Sequence, residues 1–348
     1  MTGEFVTEQL KVVDALAKLG SAQGVKLFVV GGVVRDMMRG SISHDRDLDV
    51  VVEGDAIAFA NSALPELGGT LKKFPDFFTA KVLTPTLAPL LGEVDFASTR
   101  IERYQAPGAL PTVKLAGISD DLRRRDFSVN AMALPLQSFG ELLSGAKPLS
   151  AITETILDPF GGAEDLAKRE IRVLHDRSFL DDPTRLFRAC RYALRLDAKL
   201  SQQTEELFKA AIKGNATSTI SRFRIATEIR KICSESKFGA VFALAESYGL
   251  LAGNRLISEE RRKELLDRVL KLQTILPEGS DAAYPALILI LVMLHPAGSA
   301  IESYLSDFGF SKKKIQSILS EAEMALKAQD TAALSEPALA ARRSGAKS

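Results

Sequence analysis

The stretch LFVVGGVVRDMMRGSISHDRDLDVVV, residues 27–52, decides the fold of the first half of the chain. Its pattern predicts a buried strand at 27–30, a turn at Gly31 and Gly32, a short helix at 33–39 and a second strand at 48–52. Glycines let the backbone approach a phosphate closely, and N–H groups at the start of a helix point toward it. A Gly-Gly turn is also common without any ligand, so the glycines alone indicate phosphate binding only weakly.

The second predicted strand carries two carboxylates, Asp47 and Asp49, whose side chains share one face because strand residues alternate. Such a pair repels unless a cation lies between its members, and oxygen ligands at this spacing suit Mg²⁺, which also binds substrate phosphates. Asp95, in GEVDFAS, lies on a predicted neighbouring strand. Three carboxylates on adjacent strands could bind two metal ions. The alternative is an acidic strand end in contact with water.

Around this stretch the chain reads as an α+β protein. A helix is predicted at 7–19 and another at 55–67, with Asp55 as its N-cap, and strands at 69–74, 78–83 and 92–97. These elements form an α/β head of about 140 residues. From Asp182 onward the period is helical almost throughout, which predicts an all-helical region with helices at 183–196, 203–213, 220–234, 238–249, 258–275, 283–294, 299–307 and 311–327.

A third segment, DDLRRRDFSVNAMAL at 120–134, has an arginine run that leads into a predicted apolar helix. Arg125 could form a surface ion pair with Asp126, which is worth little, or present its fixed fork to a triphosphate. Asn130 stands in an apolar stretch, where a buried amide needs hydrogen-bond partners.

A fourth segment, FLDDPTRLFRACRYALRL at 179–196, begins a helix. Asp182 before Pro183 fits the N-cap and first-turn positions. Arg185, Arg188 and Arg191 recur every three residues along one side, and guanidinium groups there would engage phosphate. The segment is a candidate nucleotide cradle, and an ordinary charged helix face is the alternative.

Composition narrows the class of protein. A chain of 348 residues predicts two or three domains. No apolar run reaches the ~18 residues that span a bilayer, and the N-terminus lacks a signal pattern, so we expect a cytoplasmic protein without a membrane partner. Its two cysteines, Cys190 and Cys233, are predicted to be buried thiols. The three histidines are far apart in sequence, which disfavours a hydrolase built on His and Asp ligands.

Together and in this order, the segments resemble the class II tRNA nucleotidyltransferase family, which comprises the CCA-adding enzymes and the bacterial poly(A) polymerases. The resemblance runs from about residue 28 to residue 200. GGVVRD with Asp47–Leu48–Asp49 resembles the catalytic motif, and RRRDFSVNAMAL resembles the ribose and nucleotide motif. DPFGGAEDL at 158–166 resembles a motif between head and neck, and DDPTRLFRACRY resembles the base-reading motif.

The resemblance implies a polymerase-beta-like nucleotidyltransferase head with a small mixed sheet at 1–145, a base-recognition neck at 146–215 and a helical body and tail that bind tRNA at 216–348. Asp47 and Asp49 would bind the catalytic Mg²⁺, with Asp95 as a third catalytic carboxylate. The residues expected to bind the nucleotide are Gly31, Gly32, Arg35, Arg125, Asp126, Asn130, Asp182, Arg185, Arg188 and Arg191.

The base-reading role has a physical rationale of its own. C and A each present an exocyclic amine beside a ring-nitrogen acceptor, so a carboxylate at Asp182 could accept from the amine while Arg185 donates to the ring nitrogen. U and G carry a carbonyl in place of the amine and would face the carboxylate acceptor to acceptor. The implied function is template-independent addition of C and A, from CTP and ATP, to the 3′ end of tRNA, as full CCA or as CC or A alone.

Within the family, AMAL after Asn130 and the segment 99–113, which resembles the flexible loop of CCA-adding enzymes, favour the tRNA-directed branch. Asp181 stands where Glu is usual and Ser128 where Thr is usual, and no motif is matched beyond about residue 215. The alternatives are a poly(A) polymerase, a catalytically silent RNA-binding relative, and a nucleotidyltransferase of small molecules. The intact pair of aspartates disfavours the second, and the long helical half disfavours the third.

Overall fold

The computed structural model describes residues 2–41, 47–251, 259–276, 282–294 and 300–327. It divides into two compact units, the first formed by residues 1–105 and 110–175, the second by residues 106–109 and 176–348. The division into head, neck and body at residues 145 and 215 stays a prediction. The helix starts predicted at 258 and 299, and the part of the body after residue 327, lie outside the described residues.

The first unit contains a six-stranded mixed sheet, a two-stranded hairpin, one further two-residue strand and seven α-helices within the described residues. The strands are β1 Lys26–Val30, β2 Asp47–Glu53, β3 Thr70–Phe74, β4 Thr79–Leu83, β5 Glu93–Ser98, β6 Arg100–Arg103, β7 Thr112–Leu115, β8 Ala133–Pro135 and β9 Glu170–Ile171. The helices are α1 Thr2–Gln23, α2 Gly32–Met38, α3 Ala56–Leu67, α4 Ile118–Arg123, α5 Leu136–Leu143, α6 Leu149–Thr153 and α7 Gly162–Lys168.

The strand order in the sheet is β3-β4-β5-β2-β1-β8. β2 and β5 are parallel and all other neighbours are antiparallel. The strands and helices predicted up to residue 97 are confirmed, and Asp55 caps α3 by accepting from the backbone N–H groups of Ile57 and Ala58. A mixed sheet followed by a helical region also confirms the predicted α+β fold class.

The two faces of this sheet differ. One face is covered by α1, α3 and α5, and its core includes Val13, Phe59, Val50, Phe96 and Phe139. On the other face, a smaller cluster around Phe28, Val51 and Leu122 covers the β1–β8 side. Alternating burial leaves every second residue of β4 and β5 partly or fully accessible on that second face, together with Asp47, Asp49 and Glu53 of β2. We call this accessible area of β2, β5, β4 and β3 the open face.

Two segments of the first unit differ from the sequence-based picture. The apolar helix predicted after Arg125 is wrong, because residues 128–130 form a single 3₁₀ turn and β8 then pairs with β1, Val30 opposite Ala133. Residues there are continuously apolar because they are buried in a sheet rather than on a helix. Within the segment predicted to resemble a flexible loop, β6 and β7 pair as an antiparallel hairpin.

The described part of the second unit is helical apart from the two-residue β10 Lys199–Leu200. Phe179 packs edge-to-face on Phe208, and a second cluster around Ile288 and Phe308 joins the later helices. The all-helical prediction is confirmed. The helices are α8 Ser178–Asp181, α9 Thr184–Arg195, α10 Gln202–Lys213, α11 Arg222–Cys233, α12 Phe238–Ser247, α13 Glu259–Ile275, α14 Ala283–Leu294, α15 Ala300–Asp307 and α16 Lys312–Lys327.

Two predictions from composition concern the whole chain. Cys190 and Cys233 are free and buried, as predicted, and burial raises the pKa of the Cys190 thiol to about 12. Across the part of the chain that the structure describes, no helix is both long and apolar enough to cross a bilayer.

Candidate active site

Four carboxylates stand side by side on the open face. Asp47 and Asp49 begin β2, and their side chains are exposed while Leu48 between them is buried. Asp95 on β5 lies directly beside Asp49 in the parallel register, and Glu93 lies beside Asp47. Laterally paired residues point to the same side of a sheet, so the structure brings together the aspartates that the sequence singled out.

The electrostatics of this cluster favour a bound cation. The Asp49 side chain is accessible at the surface, yet desolvation of its carboxyl group by the surrounding protein is the largest cause that raises its pKa. Lys81 opposes this effect, and the neighbouring charge of Asp47 raises the pKa further. Burial likewise raises the pKa of Asp95 to about 6, against the opposing effect of Lys81. Ionised carboxylates therefore cost free energy here, and a divalent cation would remove that cost.

Lys81 on β4 binds two of the four carboxylates. Its Nζ donates to Asp95 Oδ2 at 2.9 Å and also to Glu93. Within the described residues, no group of three or more His, Cys, Asp or Glu side chains is arranged to hold a metal ion. Asp47 and Asp49 form no ion pair with a described residue, so they are the donors best suited to a divalent cation, since Mg²⁺ commonly takes only one or two protein carboxylates and completes its shell with water and phosphate.

A glycine turn with an arginine beside it lies at the end of β1. Gly31 has φ +66°, a left-handed conformation that disfavours other residues, and a side-chain Cβ there would lie 3.1 Å from Arg125 Nη1. The Nε of Arg125 is buried without a hydrogen-bond partner among the described residues. The charge of Arg125 also acts on Asp49. Nη1 of Arg125, at the Gly31 turn, donates to no described residue, so the arrangement leaves a cationic donor near the carboxylate pair, as a phosphate site requires.

Behind the turn, three predicted nucleotide-binding residues form a buried chain of hydrogen bonds. Arg35 is only 2% exposed, and its guanidinium donates to Asp36 and, at 2.6 Å, to Asn130 Oδ1. Asn130 Nδ2 donates in turn to Asp126 Oδ1 at 3.0 Å. Gly32, the first residue of α2, lies against the Arg35 guanidinium. The buried position of Arg35 favours a role in fixing Asn130, whose amide has the partners that the sequence demanded.

Asp121, which sequence analysis did not assign, organises the arginine run. It is fully buried, accepts from Arg124 at 2.7 Å and from Arg125 at 3.0 Å, and also accepts from the backbone N–H of Arg100. Arg124 continues to Glu102 at 2.8 Å, which ties the β6–β7 hairpin to α4. The only sequence signal was an acidic residue four positions before Arg125, which is typical of any charged helix.

In the second unit, Asp182 lies at the start of α9. Its Oδ1 accepts from the N–H and hydroxyl of Thr184 at 3.0 and 2.6 Å, so Asp182 caps the first turn as predicted, although Pro183 occupies the N-cap position of α9. The same oxygen accepts from Arg224 Nη2 at 2.7 Å, and Nη1 of that guanidinium donates to the carbonyl of Gly108. Arg224 was not assigned from the sequence, because it pairs with Asp182 across 42 positions and no local pattern reports that.

The arginines of α9 occupy different environments. Arg185 is buried and donates to Ser178 Oγ at 2.7 Å. Arg188 is half-buried, with its guanidinium over the Tyr192 ring at 5.5 Å. Arg191 is buried within 4 Å of Glu228 and Glu235, which are acidic residues outside α9. Their roles in nucleotide binding stay predictions.

A mixed sheet with paired carboxylates on its open face, a glycine turn and an adjacent arginine defines a nucleotidyltransferase head. Residues 27–172 match the family model described as the poly A polymerase head domain. The chain belongs to the class II family of tRNA nucleotidyltransferases and bacterial poly(A) polymerases.

Individual relatives agree with that assignment. The A-adding tRNA nucleotidyltransferase of Halalkalibacterium halodurans is 39% identical over 240 residues, which cover 68% of this chain and 52% of that protein. The CC-adding tRNA nucleotidyltransferase of Deinococcus radiodurans is 39% identical over 205 residues, covering 56% of this chain and 48% of that protein. The chain thus spans about half the length of these relatives.

Solved structures extend the similarity beyond the head. A tRNA nucleotidyltransferase crystallised with a primer tRNA and an incoming ATP analogue has a TM-score of 0.69 and 28% identity. The match covers 89% of this chain and 84% of that one.

Proposed function

We propose that this chain adds C or A nucleotides, taken from CTP and ATP, to the 3′ end of tRNA without a template. The observation that carries the proposal is the carboxylate pair Asp47 and Asp49 on the open face, beside the Gly31 turn and the Arg125 guanidinium. A tRNA substrate is supported by relatives that are A-adding and CC-adding tRNA nucleotidyltransferases. The proposal includes a cytoplasmic location and a tRNA-binding role for residues from 216 onward.

In the proposed reaction, Asp47 and Asp49 would hold Mg²⁺, and Arg125 would bind the triphosphate through Nη1, which lies at the Gly31 turn and donates to no described residue. Asn130 and Asp126, fixed from behind by Arg35, face the nucleotide sugar. A bound Mg²⁺ would increase the nucleophilicity of the 3′-hydroxyl and neutralise charge on the phosphates. The chain's own contribution is to orient the triphosphate, since phosphoryl transfer depends mainly on position and electrostatics.

Selection of C and A is assigned to Asp182 and its arginine neighbours. Oδ1 is engaged by Thr184 and Arg224, whereas Oδ2 accepts no hydrogen bond from a described residue. Oδ2 is therefore the atom available to an exocyclic amine. Arg224 fixes the orientation of the carboxylate, and Arg185 is the proposed donor to the ring nitrogen.

The wild-type protein provides the direct test. Three RNAs would be incubated with Mg²⁺ and each nucleoside triphosphate separately: a tRNA that ends before CCA, a tRNA that ends after CC, and an unstructured oligonucleotide. We expect only the tRNAs to be extended, by C or by A, and the pattern distinguishes full CCA addition from CC-only or A-only addition. Repeated A addition to the oligonucleotide would instead identify a poly(A) polymerase, and no extension of any RNA would contradict enzymatic activity.

Replacing Asp182 tests base selection separately from helix capping. Asp182→Ala should lower the preference for C over U by ~1–3 kcal/mol, because the acceptor for the amine and its clash with a carbonyl are both lost. It should also lower stability by about 1 kcal/mol through the lost cap. Asp182→Asn keeps a capping oxygen and places a donor beside the base, so it should relax the preference with little loss of stability.

Incorporation of all four nucleotides would be measured beside a melting curve for both variants. A lowered melting temperature in Asp182→Ala with unchanged nucleotide preference in both variants would leave Asp182 as a helix cap and nothing more.

A further inference from the structure

A straight row of charged residues crosses the open face. In the strand registers, Asp49 lies beside Asp95, Asp95 beside Lys81, and Lys81 beside Lys72. Laterally paired residues point to the same side of a sheet, and neighbouring strands are ~4.8 Å apart, so the row spans about 14 Å from Asp49 to Lys72. Acidic groups form one half of the row and lysines form the other.

The two sides of Asp49 are not equivalent. Toward β1 lie the Gly31 turn and Arg125, where the triphosphate is proposed to bind. Away from β1 the sheet continues through Lys81, which Glu93 and Asp95 already neutralise, to Lys72. Lys72 is exposed on the edge strand β3; its charge acts on Glu93, but no carboxylate of a described residue lies within ion-pair distance of it.

An exposed aromatic ring accompanies this lysine. Phe74 follows two positions later on β3, so it shares the open face, and it is 38% exposed. Phe77, just beyond the end of β3, is 47% exposed. A lysine beside exposed rings on an edge strand matches the surfaces that bind single-stranded nucleic acid, where bases stack on aromatic side chains and a cationic group contacts the backbone.

We propose that Lys72 and Phe74 bind the 3′-terminal single strand of the RNA primer, Lys72 at a backbone phosphate and Phe74 by stacking on a base. This rests on the proposed function. In-line displacement places the attacking 3′-hydroxyl opposite the leaving pyrophosphate, so the primer must approach Asp49 from the side away from Arg125. At about 14 Å from Asp49, Lys72 contacts a nucleotide upstream of the terminal one.

The neighbouring Lys73 gives a matched control. It pairs with Ala80, a core residue, so its side chain stands on the opposite side of β3, where it is also exposed and carries the same charge. Affinity for a single-stranded RNA that ends in CC would be measured by fluorescence anisotropy over a series of salt concentrations, without nucleoside triphosphate. Lys72→Ala should reduce the slope of log affinity against log salt by roughly 0.7, as expected for one lost phosphate contact. Lys73→Ala should leave the slope unchanged.

Phe74→Ala should weaken RNA binding roughly fivefold or more at every salt concentration, since stacking does not depend on counterions. In steady-state assays, Lys72→Ala and Phe74→Ala should raise the KM for RNA and leave the KM for CTP and ATP unchanged. Equal effects of Lys72→Ala and Lys73→Ala, or a raised KM for the nucleotide in place of RNA, would overturn the proposal.

The binding measurement also separates this proposal from the proposed function. A wild-type protein that extends no RNA would contradict the activity, yet the salt slopes of Lys72→Ala and Lys73→Ala would still show whether this strand binds RNA.

Discussion

Replacing Asp49 by alanine or asparagine should abolish nucleotide transfer while the protein stays folded. A metal ion that polarises a phosphoryl group supplies several kcal/mol of transition-state stabilisation, and each 1.4 kcal/mol corresponds to a factor of ten in rate, so the rate should fall by roughly a thousandfold or more. The measurement is single-turnover extension of a tRNA that lacks its 3′ end, at saturating Mg²⁺. Asp14→Ala, an exposed substitution on α1, is the matched control and should retain full activity.

Loss of activity in Asp49→Asn should not come with loss of stability. Burial and the charge of Asp47 raise the pKa of Asp49, so its ionised form costs free energy as the pH rises above the ordinary value of 3.8 and through the higher folded value. Asp49→Asn removes that cost and should melt no lower than wild type at neutral pH without divalent metal. Added Mg²⁺ should stabilise the wild type and not the variant. Wild-type turnover in Asp49→Ala at equal Mg²⁺ would contradict the assignment.

The second large effect is expected at Asp121. Asp121→Asn should destabilise the protein by about 3 kcal/mol, because removal of one partner from a buried ion pair leaves the other charge uncompensated. Here Arg124 and Arg125 both lose their carboxylate, and only Arg124 keeps an acidic partner, Glu102 of the β6–β7 hairpin. Urea unfolding at neutral pH measures the loss. Asp120→Asn is the matched control, since Asp120 is the adjacent, exposed residue of α4.

The acid dependence of stability gives an independent check. Burial alone would raise the pKa of Asp121, but the charges and hydrogen bonds of Arg125 and Arg124 outweigh it and lower the pKa below 3.8. The stabilisation is therefore complete above about pH 3.8 and is lost as the pH falls through the lower folded value. The gap between wild type and Asp121→Asn should narrow in that acidic range. A constant gap down to the acid transition would show that the charge is not the cause.

Asp121→Asn should also affect catalysis through Arg125. If Asp121 fixes the arginine that binds the triphosphate, the KM for all four nucleotides should rise by a similar factor, since the triphosphate is common to them. A change in base preference would instead implicate another contact.

The sequence patterns predicted most of the fold because each pattern depends on residues within a single helix or strand. Alternation placed Asp47 and Asp49 on one side of β2, and Asp55 marked the start of α3. The helix predicted after Arg125 was wrong because the sequence there shows no periodic alternation of apolar and polar residues. Residues 131–134 are apolar throughout, and such a run cannot distinguish a helix from a strand buried on both faces. Only the pairing of Val30 with Ala133 decides between them.

The sequence predicted which residues form the candidate site but not which partners they bind. Residue types identified the carboxylates and the arginine run. Partners distant in sequence were not predictable, and they determine what the side chains do: Lys81 engages Asp95, Asn130 receives Arg35, and Arg224 holds Asp182.

The pairing of β8 with β1 also governs how the first unit can assemble during synthesis. β1 lies inside the sheet, yet one of its two neighbours is made only when the ribosome reaches residues 133–135. Until then the nascent chain carries an unpaired strand edge of buried apolar residues, the kind of edge that recruits other chains. Such long-range closure slows folding. A chain that ends before β8 would therefore keep both aspartates, but its sheet would be incomplete and its unpaired β1 edge would be prone to aggregation.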